Sequence, residues 1–217
     1  MLITLRPDQT KRLRLWLFAM LASAVVAAFS FKHVDLPVAV AVYPLSKHIA
    51  GSGAGLGSAV LLTFEAAIFL TVAAIRVTRG KVSPLSKAVA VACVASICAY
   101  AINASVLKVF FGVPNPAALF GGARHVATFL GGSPESSFPS GHMVLAGAFG
   151  GVLMRLYPKT ILALSGLLLV GAILLVVGDW HFVSDVVAGA FVGVSAGTLA
   201  GEIWLAHEAT AAGSDVS

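Results

Sequence analysis

Hydrophobic residues run through this 217-residue chain in long blocks rather than in alternation. Six blocks stand out, at 15–31, 56–75, 88–107, 139–156, 161–177 and 182–205. Each is close to the roughly 17–25 residues that carry a helix across a hydrocarbon core. A helix satisfies its own backbone hydrogen bonds in lipid, whereas a spanning barrel would show short alternating strands, which these Ala/Leu/Val blocks lack. The pattern predicts an all-α integral membrane protein: one domain over 1–217, a bundle of six transmembrane helices. An outer loop is expected at 109–138 and a short, polar, mobile tail at 206–217.

The first block follows Lys11, Arg12 and Arg14 and contains Ala22-Ser23-Ala24, features shared with secretory signals. It continues unbroken to Phe31. That exceeds the roughly 7–15 residues of a signal's apolar core and favours a retained span.

Composition narrows the class. The chain is 59% hydrophobic and 11% charged, too little charge to cover a soluble globule, which excludes a cytosolic enzyme and a disordered chain. The net charge of +5 would suggest nucleic acid in a soluble protein. Here its distribution orients the bundle, and no nucleic-acid partner is expected. With the N-terminus in the cytoplasm, Arg6, Lys11, Arg12, Arg14, Arg76, Arg79, Lys81, Lys87, Arg155 and Lys159 fall inside. Lys32, Lys47, Lys108 and Arg124 fall outside. Ten against four obeys the positive-inside rule and puts both termini in the cytoplasm of a plasma or bacterial inner membrane. Cys93 and Cys98 are five residues apart and do not share a helix face, so they read as small buried apolar residues, not a disulfide.

In such a chain the places where polar residues concentrate mark candidate chemistry. Ser136-Ser137-Phe138-Pro139-Ser140-Gly141-His142 immediately precedes an apolar run. Pro and Ser suit a helix start, whose free N–H groups attract an anion, and a histidine in that first turn would sit beside it. Asp179-Trp180-His181-Phe182-Val183-Ser184-Asp185 opens the last block. His181 and Asp185 share a helix face at i and i+4, so the carboxylate can fix the imidazole tautomer and leave its other nitrogen as nucleophile or base. Too few further ligands cluster there for a zinc site. A third group, Lys108 to Pro116, ends the third block, where a snorkelling lysine is the plainer reading of Lys108. The six-span topology nevertheless puts Lys108, His142, His181 and Asp185 on one non-cytoplasmic side. A cation, a helix N-terminus and two histidines suit phosphoryl transfer.

These residues resemble the type-2 phosphatidic acid phosphatase superfamily, the integral-membrane lipid phosphate phosphatases. Its second signature is complete as Pro139-Ser140-Gly141-His142. The third keeps His181 and Asp185 at the required spacing, and the first keeps Lys108 and Pro116. The resemblance implies a phosphatase acting on a lipid phosphate or diphosphate, in contact with membrane lipids. It would have no metal, no cofactor and no known protein partner. His181 would form a phosphohistidine, oriented by Asp185, and His142 would protonate the leaving group. Lys108, Ser140 and Gly141 would cradle the phosphate. Two signature arginines are replaced, one by Asn115 and one within Leu174-Leu175. Asn115 and the outer-loop Arg124 are the candidates to serve in their place. Two other readings stay open: a lipid headgroup phosphotransferase using the same histidines, and a non-catalytic lipid-binding relative.

Other singled-out positions carry less. Glu65 lies mid-block, where a carboxyl is expected to be protonated or paired with a neighbouring Ser or Thr. His125 reads as a plain loop histidine, and His33, His48 and His207 have no partner pattern. The glycine-rich stretch 51–57 lacks the strand context of a nucleotide loop and suits close helix packing or a turn.

Overall fold

The computed structural model describes residues 7–46 and 54–214, so Arg6, Lys47, His48 and the glycine-rich positions 51–53 lie outside the described residues. Every regular element among the described residues is helical. In chain order they are α1 (Pro7–His33), α2 (Asp35–Ser46), α3 (Ala54–Arg79) and α4 (Pro84–Ile102). A π-helical turn, Asn103–Leu107, carries α4 into α5 (Lys108–Phe111). Then come α6 (Pro116–Phe120), α7 (Gly141–Leu156), a 3₁₀ turn, α8 (Ile161–Val177) and α9 (Val183–Ser214).

Local chemistry sets several boundaries. Ser83 caps α4 by accepting from the Ser86 N–H at 3.1 Å, with Pro84 in the first turn. Gly112 ends α5 at φ +59, a left-handed position that glycine tolerates. A Cβ there would also lie 2.1 Å from Thr128 Oγ1. The last helix outruns its expected end at 205, because 206–213 is rich in helix-favouring alanine. α2 has no counterpart among the expected spans, since its 12 residues are too short to register as one.

Among the described residues five helical segments, not six, are long and apolar enough to cross a membrane: Gln9–His33, Gly57–Arg79, Pro84–Phe120, Pro158–Val177 and Val183–Ala211. The expected span at 139–156 is α7, whose 16 residues rise only about 24 Å. Ten of them are buried, and α7 packs against α3, α4, α8 and α9. Its apolarity serves contact with other helices instead of lipid, and this explains why hydropathy alone counts it as a span. Lipid-type surface lies elsewhere, as on α8, where Leu162, Leu167, Leu169 and Leu174 are exposed. Cys93 is buried as expected, but Cys98 is exposed, and both are free thiols.

The closest packing is between α7 and α9. Four glycines at intervals of four, Gly189, Gly193, Gly197 and Gly201, line the face of α9 that meets α7. A Cβ on Gly189, Gly193 or Gly197 would come within 2.6, 2.6 and 2.1 Å of the carbonyl oxygens of Ser140, Val144 and Ala148. These matched positions show that α7 and α9 run parallel. α4 runs antiparallel to α7: Ser96 Oγ donates to Leu145 O at 2.9 Å and Asn103 Nδ2 to Pro139 O at 3.2 Å. α1 runs antiparallel to α9, pairing Arg12 with Glu202 and Trp16 with Ser195.

The directions sort the polar groups by end. At one end Arg155 grips Glu202 through two bonds of 2.7 and 2.9 Å, Arg12 joins the same carboxylate, and Lys87 lies 3.8 Å from Glu208. At the other end, about 20 Å along α7, the N-termini of α7 and α9 meet the C-terminus of α4.

Candidate active site

The histidines belong to a continuous chain of hydrogen-bonding groups. Asp185, in the first turn of α9, is fully buried. Its Oδ2 accepts from the Phe182 N–H at 2.8 Å and from the Ser137 hydroxyl, and lies 3.4 Å from His181 Nδ1. His181 Nε2 stands 3.3 Å from His142 Nδ1. His142 Nε2 in turn is 3.4 Å from Ser58 Oγ, in α3. Satisfying each group once sets the direction: Ser58 donates to His142 Nε2, His142 Nδ1–H to His181 Nε2, and His181 Nδ1–H to Asp185. His181 then turns an unprotonated nitrogen toward a protonated nitrogen of His142.

The frame is built from backbone. Ser140 caps α7, its hydroxyl accepting from the Met143 N–H at 3.4 Å, while its own N–H donates to Asp185 O at 3.0 Å. The start of α7 is thereby tied to the start of α9. Pro139 follows a cis peptide bond and its carbonyl is held by Asn103. Gly141 leaves room for Tyr100 and Lys108: a Cβ there would lie 2.8 Å from the Tyr100 ring and 3.8 Å from Lys108 Cε. Lys108 is buried and within electrostatic reach of Asp185, Glu135 and His142. Gly57 does the same for His142, since a Cβ would come within 2.6 Å of Nε2. The Trp180 ring lies over His142 with centroids 6.5 Å apart.

Lys108, Ser140, Gly141, His142, His181 and Asp185 are thus brought together. Asn115 and Arg124 are not. Asn115 caps α6, its Oδ1 accepting from the Ala118 N–H at 2.8 Å. Arg124 is exposed in the loop after α6, with no hydrogen bond to the histidines. Its neighbour His125, expected to be a plain loop histidine, is instead buried against Asp35. Glu65 is buried beside Ser96 of α4, the kind of neighbour expected for it. His33 and His207 are exposed.

No local motif marks Ser58, Asn103 or Tyr100, which act on the cluster from α3, the π-helical turn and α4, whereas Gly57 belongs to the glycine-rich stretch expected to allow close packing. Ser137 was visible inside the polar run before α7, but its role depends on Asp185, 48 residues away. In the short link before α9, Asp179 sits at φ +56 with its carboxyl buried. Burial raises its pKa from 3.8 to about 6, partly offset by a hydrogen bond from Ser46. Among the described residues no group of three or more His, Cys, Asp and Glu side chains is arranged to hold a metal ion.

The PAP2 superfamily model matches residues 87–207, from the start of α4 to near the end of α9. No curated protein and no solved structure matches the chain.

Proposed function

The chain belongs to the PAP2 superfamily, and on that premise we propose that it is a membrane phosphatase that hydrolyses a lipid phosphate or diphosphate through a phosphohistidine. The observation that carries the proposal is the 3.3 Å contact between His181 Nε2 and His142 Nδ1, with Asp185 behind His181. A nucleophile, a proton donor and an orienting carboxylate stand in one line.

In the first step His181 Nε2 attacks phosphorus and an N–P bond forms. The bond from phosphorus to the leaving oxygen breaks, and that oxygen takes the Nδ1 proton of His142, which enters the step as an imidazolium with its Nε2–H turned to Ser58 Oγ and leaves it neutral. Imidazolium character developing on His181 is offset by the Asp185 carboxylate, which accepts the hydrogen bond of Nδ1–H while the proton stays on the ring. In the second step a water gives a proton back to His142 Nδ1 and attacks phosphorus. The N–P bond breaks and inorganic phosphate leaves. Lys108 and the free N–H groups at the start of α7 offset charge on the phosphoryl oxygens. The contact between the two rings must open to admit the phosphoryl group.

The five long apolar helices suit an integral membrane protein, and a substrate that shares that membrane meets the site without leaving it. The positive-inside distribution supports a site on the non-cytoplasmic face. Purified protein in detergent micelles, supplied with phosphatidic acid and with an isoprenoid diphosphate, tests the reading. Inorganic phosphate should be released from at least one, and His181→Ala should abolish it. Turnover surviving that substitution would sink the phosphohistidine route. Headgroup transfer without free phosphate would assign the same chemistry to an alcohol acceptor.

A further inference from the structure

A second buried histidine–carboxylate pair lies beside the first. Asp35, the opening residue of α2, is 1% exposed. Its Oδ1 accepts from the Ser184 N–H at 3.0 Å and its Oδ2 from the Ser184 hydroxyl at 2.5 Å. His125 Nε2 approaches the same Oδ2 to 3.2 Å. The imidazole is packed between Phe31 and Phe182, with centroids 4.3 and 4.2 Å away. Three segments far apart in sequence therefore meet at one carboxylate.

Its target is what gives the pair its interest. Residues 182–185 are the cap and the first turn of α9, and they carry Asp185. Phe182 donates its N–H to Asp185 Oδ2 and packs its ring on His125. Ser184, next in chain to Asp185, is held at both N–H and hydroxyl by Asp35. A helix cap needs only one acceptor, and Ser or Asn supplies it without burying a charge. Burying a carboxylate is costly unless it is paired and hydrogen-bonded. Here the two hydrogen bonds from Ser184 meet that requirement and fix one short turn, while His125 lies against the carboxylate without hydrogen-bonding to it and packs on the Phe182 ring of that turn.

We propose that Asp35 and His125 are positioning residues: they clamp the 182–185 turn so that the Asp185 carboxylate stays against His181 Nδ1. This rests on the phosphoryl-transfer reading of His181. It extends the active site to α2, outside the region 87–207 that the family shares. Neither residue touches the reacting atoms. The clamp acts on orientation, and small misplacements in such sites are costly, up to roughly 100-fold for about 1 Å.

The experiment uses full-length protein in detergent micelles with phosphatidic acid, comparing wild type, Asp35→Ala, Asp35→Asn and Ser184→Ala. For Asp35→Ala we expect kcat to fall about 10- to 100-fold with KM little changed. Asp35→Asn keeps an acceptor for the Ser184 N–H and should recover part of the loss. Ser184→Ala, the mildest change, should show the same kcat-selective defect if Asp35→Ala does not fold. Side-chain ¹⁵N spectra of the histidines provide a reading that needs no turnover: the His181 Nδ1–H resonance should move in Asp35→Ala or, failing that, in Ser184→Ala. Folded variants with wild-type kcat, or with an unmoved His181 resonance, would overturn the clamp. His181→Ala with undiminished turnover would instead overturn the phosphohistidine reading, and the spectra would still decide whether Asp35 reaches His181.

Discussion

His142 Nδ1 and His181 Nε2 stand 3.3 Å apart although one lies in the first turn of α7 and the other in the link before α9, 39 residues distant in the chain. The contact exists because Ser140 N–H donates to Asp185 O and the glycines of α9 let α7 lie against it. Position, more than residue type, makes the pair useful.

That pairing divides the labour between the histidines. His142→Ala should lower turnover of an alkyl phosphate by about 10²–10⁴, the scale of general acid catalysis. With an aryl phosphate whose leaving group needs no proton, the first step should survive. Water attack, which needs His142 as base, should then become limiting. Rapid-quench labelling with ³²P-substrate is expected to show an acid-labile phosphoenzyme accumulating in this variant and none in His181→Ala.

Ser137 shares Asp185 Oδ2 with His181 and the Phe182 N–H. Ser137→Ala should leave the carboxylate one donor short. Roughly 1–1.5 kcal/mol is at stake, or about a tenfold fall in kcat with KM near wild type. Steady-state kinetics separates this from a binding defect, which would raise KM instead.

The α7–α9 interface should be intolerant of side chains. Gly197→Val places atoms against the Ala148 carbonyl, where even a Cβ would lie at 2.1 Å. A loss of roughly 1–3 kcal/mol is expected, as for overpacking elsewhere. Gly166→Ala in α8, where a Cβ meets nothing within 4 Å, should be neutral or mildly stabilising. Thermal unfolding in one detergent compares the two directly, and equal melting temperatures would refute the close-packing argument.

Asp179 links stability to pH. Its folded pKa, near 6, lies above its ordinary value of 3.8, so the fold prefers the neutral carboxyl. The contribution is present in full below about pH 4 and is lost as pH rises through 6. Asp179→Asn should therefore raise the melting temperature by a few degrees at pH 7.5 and change it little at pH 4. Asparagine also tolerates the left-handed backbone at this position. A melting difference that does not vary with pH would contradict the assignment.

Much of the site was legible because its chemistry is local. Pro139-Ser140-Gly141-His142 is one capped helix start, and His181 and Asp185 are four residues apart, close enough to meet although His181 lies in the link before α9 and not on the helix as expected. The span count was less legible. Hydropathy registers that a block is apolar but not what surrounds it, and α7 is apolar because helices enclose it. The same limit hid His125, which reads as a loop residue until Phe31, Phe182 and Asp35 close around it.

The sequence by itself determined that this protein is helical and apolar enough to lie in a membrane, and which short motifs could bear phosphoryl chemistry. Those properties follow from composition, spacing and the backbone's need for hydrogen bonds in lipid. Only the tertiary structure decided that Ser58 reaches His142, that Ser137 supports Asp185, and that Asp35 grips the turn beside it. It also left Arg124 in the open. Such contacts join residues 48 to 149 positions apart. They depend on how closely helices approach and in which direction they run, which the pattern along one helix does not encode.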